Sequence, residues 1–156
     1  PALRDAARLA LARVPGAIGA NNHMGSAFTR SYDAMRPFAQ VLKSLGLFFL
    51  DSRTDPGTIA EDVAIAEGVP TIRRAVFLDH SEDPADIARM LQALQASAVA
   101  KGCAIAIGHP RPATLQALLR FAADPARIVE VVPVSRLVGR ECSRGAAQAA
   151  PAPERP

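Results

Sequence analysis

"GLFFLDSRT" (residues 46–54) decides how this chain folds: after a glycine, four consecutive apolar side chains run straight into an aspartate, a hydroxyl and a guanidinium. A strand with one wet face alternates apolar and polar residues, so an unbroken apolar run predicts a strand covered on both faces. Just upstream, "YDAMRPFAQVLKSLG" (32–46) has the spacing of an amphipathic helix, bent or delayed at Pro37. The unit is therefore helix, glycine, buried strand and reactive tip.

The same unit recurs along the chain. A stripe of Leu3, Ala6, Ala7, Leu9, Ala10 and Leu11 reads as a helix that breaks at Pro15-Gly16 and leads into the strand "AIGA". "TIAEDVAIAEG" leads to "AVFLDH", "PADIARMLQALQASAVAKG" to "CAIAIGH", and "PATLQALLRFAA" to "IVEVVPVS". Helices alternating with buried strands imply crossovers that return each strand in the same direction. The fold class is thus α/β, with parallel strands and alternating helices over residues 1–138. From Gly139 the sequence is rich in Ala, Pro and charge without periodicity, which predicts a disordered tail over 139–156.

Composition narrows the function. The chain has 156 residues, enough for one domain with a core, and a formal charge of +3 from 18 Lys+Arg against 15 Asp+Glu. Arginines are spread rather than blocked, and aromatics make up 4% with no Trp, so neither a basic tract nor a stacking platform for nucleic acid is evident. No apolar stretch is long enough to span a bilayer, and no signal-peptide pattern precedes a cleavage site. The chain opens inside a helical pattern without an initiating Met, which points to a start further upstream. Cys103 lies in an apolar run and Cys142 in the polar tail, a placement that predicts no disulfide between them.

The reactive residues fall where the strands end: Asn21-Asn22-His23, Asp51-Ser52-Arg53, Asp79-His80, Gly108-His109-Pro110 and Ser135. Parallel α/β folds gather such ends on one rim, where ligands bind. Each residue also has a local reading. The asparagines suit turns, Asp51 or Asp79 could cap the adjoining turn or helix, although Ser81 and Asp83 stand closer to the helix after Asp79, and Met24 and Phe28 read as packing residues. His23 between Asn22 and Met24, and His109 framed by Gly108 and Pro110, favour a role in a site. No HExxH, CxxC, phosphate loop or nucleophile elbow is present, so any metal site must be assembled from separate loops.

"GANNHMGSAFT", "GLFFLDSRT", "VFLDH", "AIAIGHPRPATLQALL" and "VVPVS", in this order over residues 15–138, resemble the divergent polysaccharide deacetylase family, a remote branch of the NodB-like deacetylases. The resemblance implies a distorted, here partial, (β/α) barrel, a divalent metal (usually Zn2+), and removal of N-acetyl groups from polysaccharide in the bacterial envelope or periplasm. It makes His23 a metal ligand, His109 the acid, and Asp51, Arg74 and Asp79 the orienting residues of the catalytic rim. Asn22, Ser26 and Arg53 become the substrate contacts. Two positions depart from the pattern: Ala75 stands where an acidic residue is common, and His80 where Asn is usual.

The family's upstream paired-aspartate motif and its His-Leu-Pro-Met-Glu-Pro-like segment have no counterpart here. The resemblance therefore implies the C-terminal portion of the domain, without the catalytic base, and weak or absent metal binding by these residues alone. A non-catalytic envelope module that binds a glycan or protein on the same rim is a second reading. A glycosidase with Asp51 and Asp79 as paired carboxylates is a third.

Overall fold

Phe49 has no exposed surface, as the middle of an apolar run covered on both sides demands. The computed structural model describes residues 2–140 and 142. In it Phe49 lies on β2 (Phe48–Asp51), flanked in parallel by β1 (Gly19–Asn21) and β3 (Thr71–Arg73) in the order β1-β2-β3. Gly19 is opposite Phe48, where a Cβ would stand 2.4 Å from the Phe48 ring, so this pairing excludes any larger residue. A second parallel sheet pairs β4 (Val76–Phe77) with β5 (Ala106–Ile107).

The two sheets meet at Arg74 and Ala75, the two residues between β3 and β4. Ile105 O accepts from Ala75 N at 2.8 Å and from Val76 N at 3.1 Å, while Arg74 N donates to Asp51 O at 2.9 Å. All five strands thus point the same way within their sheets, and helices separate them in sequence: a partial (β/α) barrel.

Helices form where the apolar periodicity placed them. They are α1 (Ala2–Ala12), α3 (Tyr32–Ser44), α4 (Ala60–Ala66), α5 (Pro84–Lys101) and α6 (Pro112–Ala123), with the one-turn α2 (Ser26–Thr29) in addition. Ser31 caps α3 by accepting from Ala34 N, and Asp83 caps α5 by accepting from Ala85 N at 2.8 Å, with Pro84 preset for the first turn. Asp79 is thereby spared a capping duty. Gly102, in the left-handed conformation at φ +80°, ends α5. Met35, Ala39 and Leu42 of α3 pack with Phe49 and with Ala60, Val63 and Ala64 of α4. Ile87 and Leu91 of α5 pack with Leu78 and with Ala117 of α6.

Several expectations are corrected. Pro37 neither delays nor ends α3, which starts five residues earlier at Tyr32 and continues past it to Ser44. The stripe of α1 stays largely wet: no residue of α1 is buried, Leu9 is 61% exposed, and only Leu11 reaches the core. "TIR" (71–73) forms its own strand, and "AVFLDH" contributes only Val76 and Phe77 to the second sheet. Three residues between Pro70 and Arg74 carry too short a pattern to show a period.

The fifth expected strand, "IVEVVPVS", is absent. Its last residues enter a 3-10 helix (Val134–Leu137), and Ile128 and Val131 are 72% and 63% exposed. β-branched residues favour a strand only where a neighbouring strand offers a ladder, and among the described residues none pairs here.

Cys103 and Cys142 form a disulfide, contrary to the expectation from their surroundings in sequence. Cys142 is fully buried against Ile72 and Ile105, so the segment after the 3-10 helix folds back beneath the sheet junction. The tail expected from Gly139 therefore begins with residues anchored to the core, and its remainder lies outside the described residues.

Closing a loop of 39 residues is worth about 4 kcal/mol in the chain-entropy account. At roughly 2–4 °C per kcal/mol for a domain of this size, the Cys142→Ser variant is expected to melt on the order of 10 °C below the oxidised parent. Reductant should lower the parent to the same midpoint and leave the variant unmoved. Equal melting of parent and variant would show that the bridge does not hold the segment.

Candidate functional site

Parallel strands deliver their carboxyl ends to one rim, and two hydrogen-bonded groups assemble there. The first surrounds Ser52, just beyond β2. Asn22, 8% exposed at the end of β1, accepts Ser52 N on Oδ1 at 2.8 Å, and Asn21 Nδ2 donates to Ser52 Oγ at 3.2 Å. From the other side Arg74 Nε donates to Ser52 O and Arg74 Nη2 to Arg53 O. Asp51, with no exposed surface, accepts Arg53 N on Oδ1 at 2.8 Å and Thr58 Oγ1 on Oδ2 at 3.2 Å. These bonds hold Arg53 at φ +46°, a left-handed conformation costly for a side chain of its size.

The second group surrounds Asp79, just beyond β4. Its carboxylate is 1% exposed and accepts three bonds. His109 N donates at 2.7 Å and Thr114 Oγ1 at 2.9 Å to Oδ2, and His109 Nδ1 lies 3.1 Å from Oδ1. An ionised carboxylate only accepts, so Nδ1 carries the proton, and Nε2 of the 41% exposed imidazole is the nitrogen left to exchange protons. Gly108 makes this approach feasible: a Cβ there would lie 3.3 Å from Thr114 Cγ2 and 3.5 Å from Asp79 Oδ1. Arg111 Nη1 donates to Asp79 O at 3.1 Å and pairs with Glu82 at 3.5 Å.

Burial pushes the Asp79 carboxyl up, but the bonds from His109 N, Thr114 and the His109 ring together outweigh it and hold the group below the ordinary carboxylate value. For Arg74, burial lowers the guanidinium's value first, the neighbouring Arg53 charge lowers it further, and Asp51 opposes both.

Phe77 joins the two groups. The Arg74 guanidinium lies over its ring at 5.4 Å, and the ring sits 5.7 Å from that of His109 and 6.4 Å from that of His80. Contacts therefore run without a break from Asn22 through Ser52, Arg74 and Phe77 to His109 and Asp79.

The expected residues divide accordingly. Asn22, Asp51, Arg53, Arg74, Asp79 and His109 belong to this connected rim, whereas His23 is exposed and Ser26 opens α2, its carbonyl accepting from Thr29. Met24, expected to pack, is 88% exposed at φ +52°, while Phe28 does pack, edge-on to Phe38. Sequence reasoning missed Thr58, Phe77, Arg111 and Thr114. Thr114 stands five residues after His109 in the first turn of α6, and that spacing was its available signal.

A catalytic zinc takes three protein ligands, and among the described residues no group of three His, Cys, Asp or Glu comes together to hold a metal ion. The aspartates do not suit a two-carboxylate glycosidase: both are buried, and their oxygens are occupied by backbone N–H groups and threonine hydroxyls of the protein itself.

The family model described as divergent polysaccharide deacetylase matches residues 2–138. The chain belongs to this family. Among its relatives, an uncharacterized protein of Haemophilus influenzae (strain ATCC 51907 / DSM 11121 / KW20 / Rd) is 44% identical over 74% of this chain and 42% of its own length. The uncharacterized protein YibQ of Escherichia coli (strain K12) is 40% identical over 84% of this chain and 41% of its own. In a crystal structure, the uncharacterized protein ATU2773 from Agrobacterium tumefaciens C58 superposes with a TM-score of 0.78 and 26% identity, over 85% of this chain and 57% of that one. The chain thus spans less than half the length of the curated relatives it matches.

Asp79→Asn offers one carbonyl acceptor where three donors converge, and is expected to lower stability by about 2–3 kcal/mol at neutral pH. Because the folded carboxyl titrates below its unfolded value of about 3.9, its contribution is present above that pH and is lost as pH falls through the folded value. The gap between parent and Asp79→Asn, measured by urea unfolding, should therefore narrow below roughly pH 4. A gap constant from neutral pH to pH 2 would contradict the assignment.

Proposed function

We propose that this chain supplies the proton-donating and glycan-orienting side of an amide hydrolase that removes N-acetyl groups from envelope polysaccharide. The observation that carries this reading is the Asp79–His109 pair: a buried carboxylate fixes Nδ1 and leaves Nε2 open on the rim. Deacetylation requires a proton for the departing amine, and an imidazole held in one orientation is suited to give it. Arg74, fixed by the carbonyls of Ser52 and Arg53, would orient the sugar beside it, while Asn22 holds the Ser52 backbone in place. Zinc enters only through the family, with His23 as the side chain offered to it. Among the described residues no group of three His, Cys, Asp or Glu includes His23.

Two further observations support the setting. Family membership favours a carbohydrate ligand, and the Cys103–Cys142 disulfide suits an oxidising compartment such as the periplasm or envelope. No helix among the described residues is long and apolar enough to cross a membrane.

Ala75, standing where an acidic residue is common in the family, favours a second reading, a module on this fold that binds glycan without cleaving it. Acetate released from N-acetylated chito-oligosaccharides and peptidoglycan fragments decides between them. The enzyme reading expects release that falls by about a hundredfold or more in His109→Ala while the oligosaccharide still binds. Binding with no release, with or without added zinc, would leave the module reading in place.

A further inference from the structure

Around Ser52 the rim carries an excess of donors over acceptors. Arg53 has its backbone N bonded to Asp51 and its carbonyl to Arg74, yet its guanidinium meets no carboxylate within ion-pair distance among the described residues. Arg74 also forms no such pair among them, and its Nε and Nη2 are directed at neutral backbone carbonyls. Asn22 Nδ2 is buried without a partner while its Oδ1 holds Ser52 N. The carboxylate in electrostatic reach of Arg74, that of Asp51, is fully buried and bonded to Arg53 N and Thr58.

Neighbouring arginines are arranged differently. Arg73, one residue before Arg74, is neutralised by Glu61 at 3.1 Å, and Arg111 on the far side of the rim pairs with Glu82. Arg53 and Arg74 instead stand together, with Arg74 Nη2 on the Arg53 carbonyl and the Arg53 charge lowering the Arg74 guanidinium's value. The left-handed backbone at Arg53 is kept in place by the same bonds that bring it beside Arg74. Two guanidiniums without a carboxylate partner form a donor site for an oxyanion, which would take N–H bonds from Arg53 and from the Arg74 hydrogens that the Ser52 and Arg53 carbonyls leave free.

From this juxtaposition we infer that Arg53 and Arg74 form a subsite for a carboxylate carried by the glycan, so that the ligand is an acidic rather than a neutral polysaccharide. The inference deepens the proposed glycan reading and rests on it for the sugar, but not for the reaction. Asn22 Nδ2 is inaccessible and contributes to the positive field around Ser52 rather than a contact. Phe77, whose ring lies under Arg74 on the way to His109, leads from the anion subsite towards the proton donor.

Titration of the folded chain with trigalacturonic acid, chitotriose and inorganic phosphate, followed by calorimetry and amide chemical shifts, tests it. Trigalacturonic acid is expected to bind at least tenfold more tightly than chitotriose, with shifts centred on Ser52, Arg53 and Arg74, and to weaken as salt rises. Arg53→Gln should cost at least tenfold in affinity for the acidic sugar and markedly less for the neutral one. Arg53→Lys should recover part of the loss, and equal melting temperatures of both variants and the parent would exclude misfolding as its cause. Phosphate binding at the same residues more tightly than the uronate would keep the oxyanion subsite and overturn its assignment to a sugar carboxylate.

Equal affinity for acidic and neutral sugars, or an Arg53→Gln variant that binds both as the parent does, would overturn the subsite altogether. Acidic-sugar binding without acetate release would sink the hydrolase and leave the subsite standing. Deacetylation of neutral chitotriose at full rate with no preference for charge would do the reverse.

Discussion

Ile105 joins the two halves of this structure. Its carbonyl accepts the adjacent amides of Ala75 and Val76, and its side chain packs against Ile72 of β3 and the buried Cys142. Between the last residue of β3 and the first of β4 there are only Arg74 and Ala75, so the chain must turn from one sheet into the other at this point. Arg74 sits at that turn, its amide on Asp51 O and its guanidinium reaching Ser52, Arg53 and Phe77. The side chain that connects the two halves of the rim is thus placed by the backbone bonds that connect the two sheets. The disulfide reinforces this junction from below, since Cys103 lies two residues before Ile105.

Much of the fold could be read from the sequence because its signals were local. The apolar periods of 84–101 and 112–123 and the capping residue Asp83 acted within a turn or two of the residues they fixed, and those helices appear as expected. What escaped depended on partners remote in sequence. "TIR" is a strand because β2 offers it a ladder, whereas "IVEVVPVS", with the stronger strand composition, finds none among the described residues. Cys142 looked solvated because nothing nearby in sequence shows that the chain returns to Ile72 and Ile105. Met24 and Phe28 illustrate the same limit, for only the position of Phe38 decides which of them packs.

The candidate site was legible in a similar proportion. Strand ends carrying Asn22, Asp51, Arg74, Asp79 and His109 were visible as breaks in apolar runs, and the parallel arrangement brings them to one connected rim. Thr58 and Thr114 were not visible, because a threonine at the start of a helix has an ordinary local use, and only the folded structure reveals that each serves a buried aspartate. His23 and Ser26 shared the best motif in the sequence, yet they lie outside the network of contacts that links the others.

Both aspartates act as organisers rather than as exposed reactive groups. Each accepts a backbone N–H and a threonine hydroxyl: Asp51 takes Arg53 N and Thr58 from the loop after its own strand, and Asp79 takes His109 N and Thr114 from the loop and helix after the neighbouring strand β5. A buried carboxylate is stable only with such donors around it, and these donors belong to the backbone segments that present Arg53 and His109. Negative charge is thereby drawn into the protein while cationic and proton-exchanging groups face outward. The solvent side of the rim is consequently suited to receive acceptors and to release a proton, a polarity set by which way two carboxylates are turned rather than by the net charge of the chain.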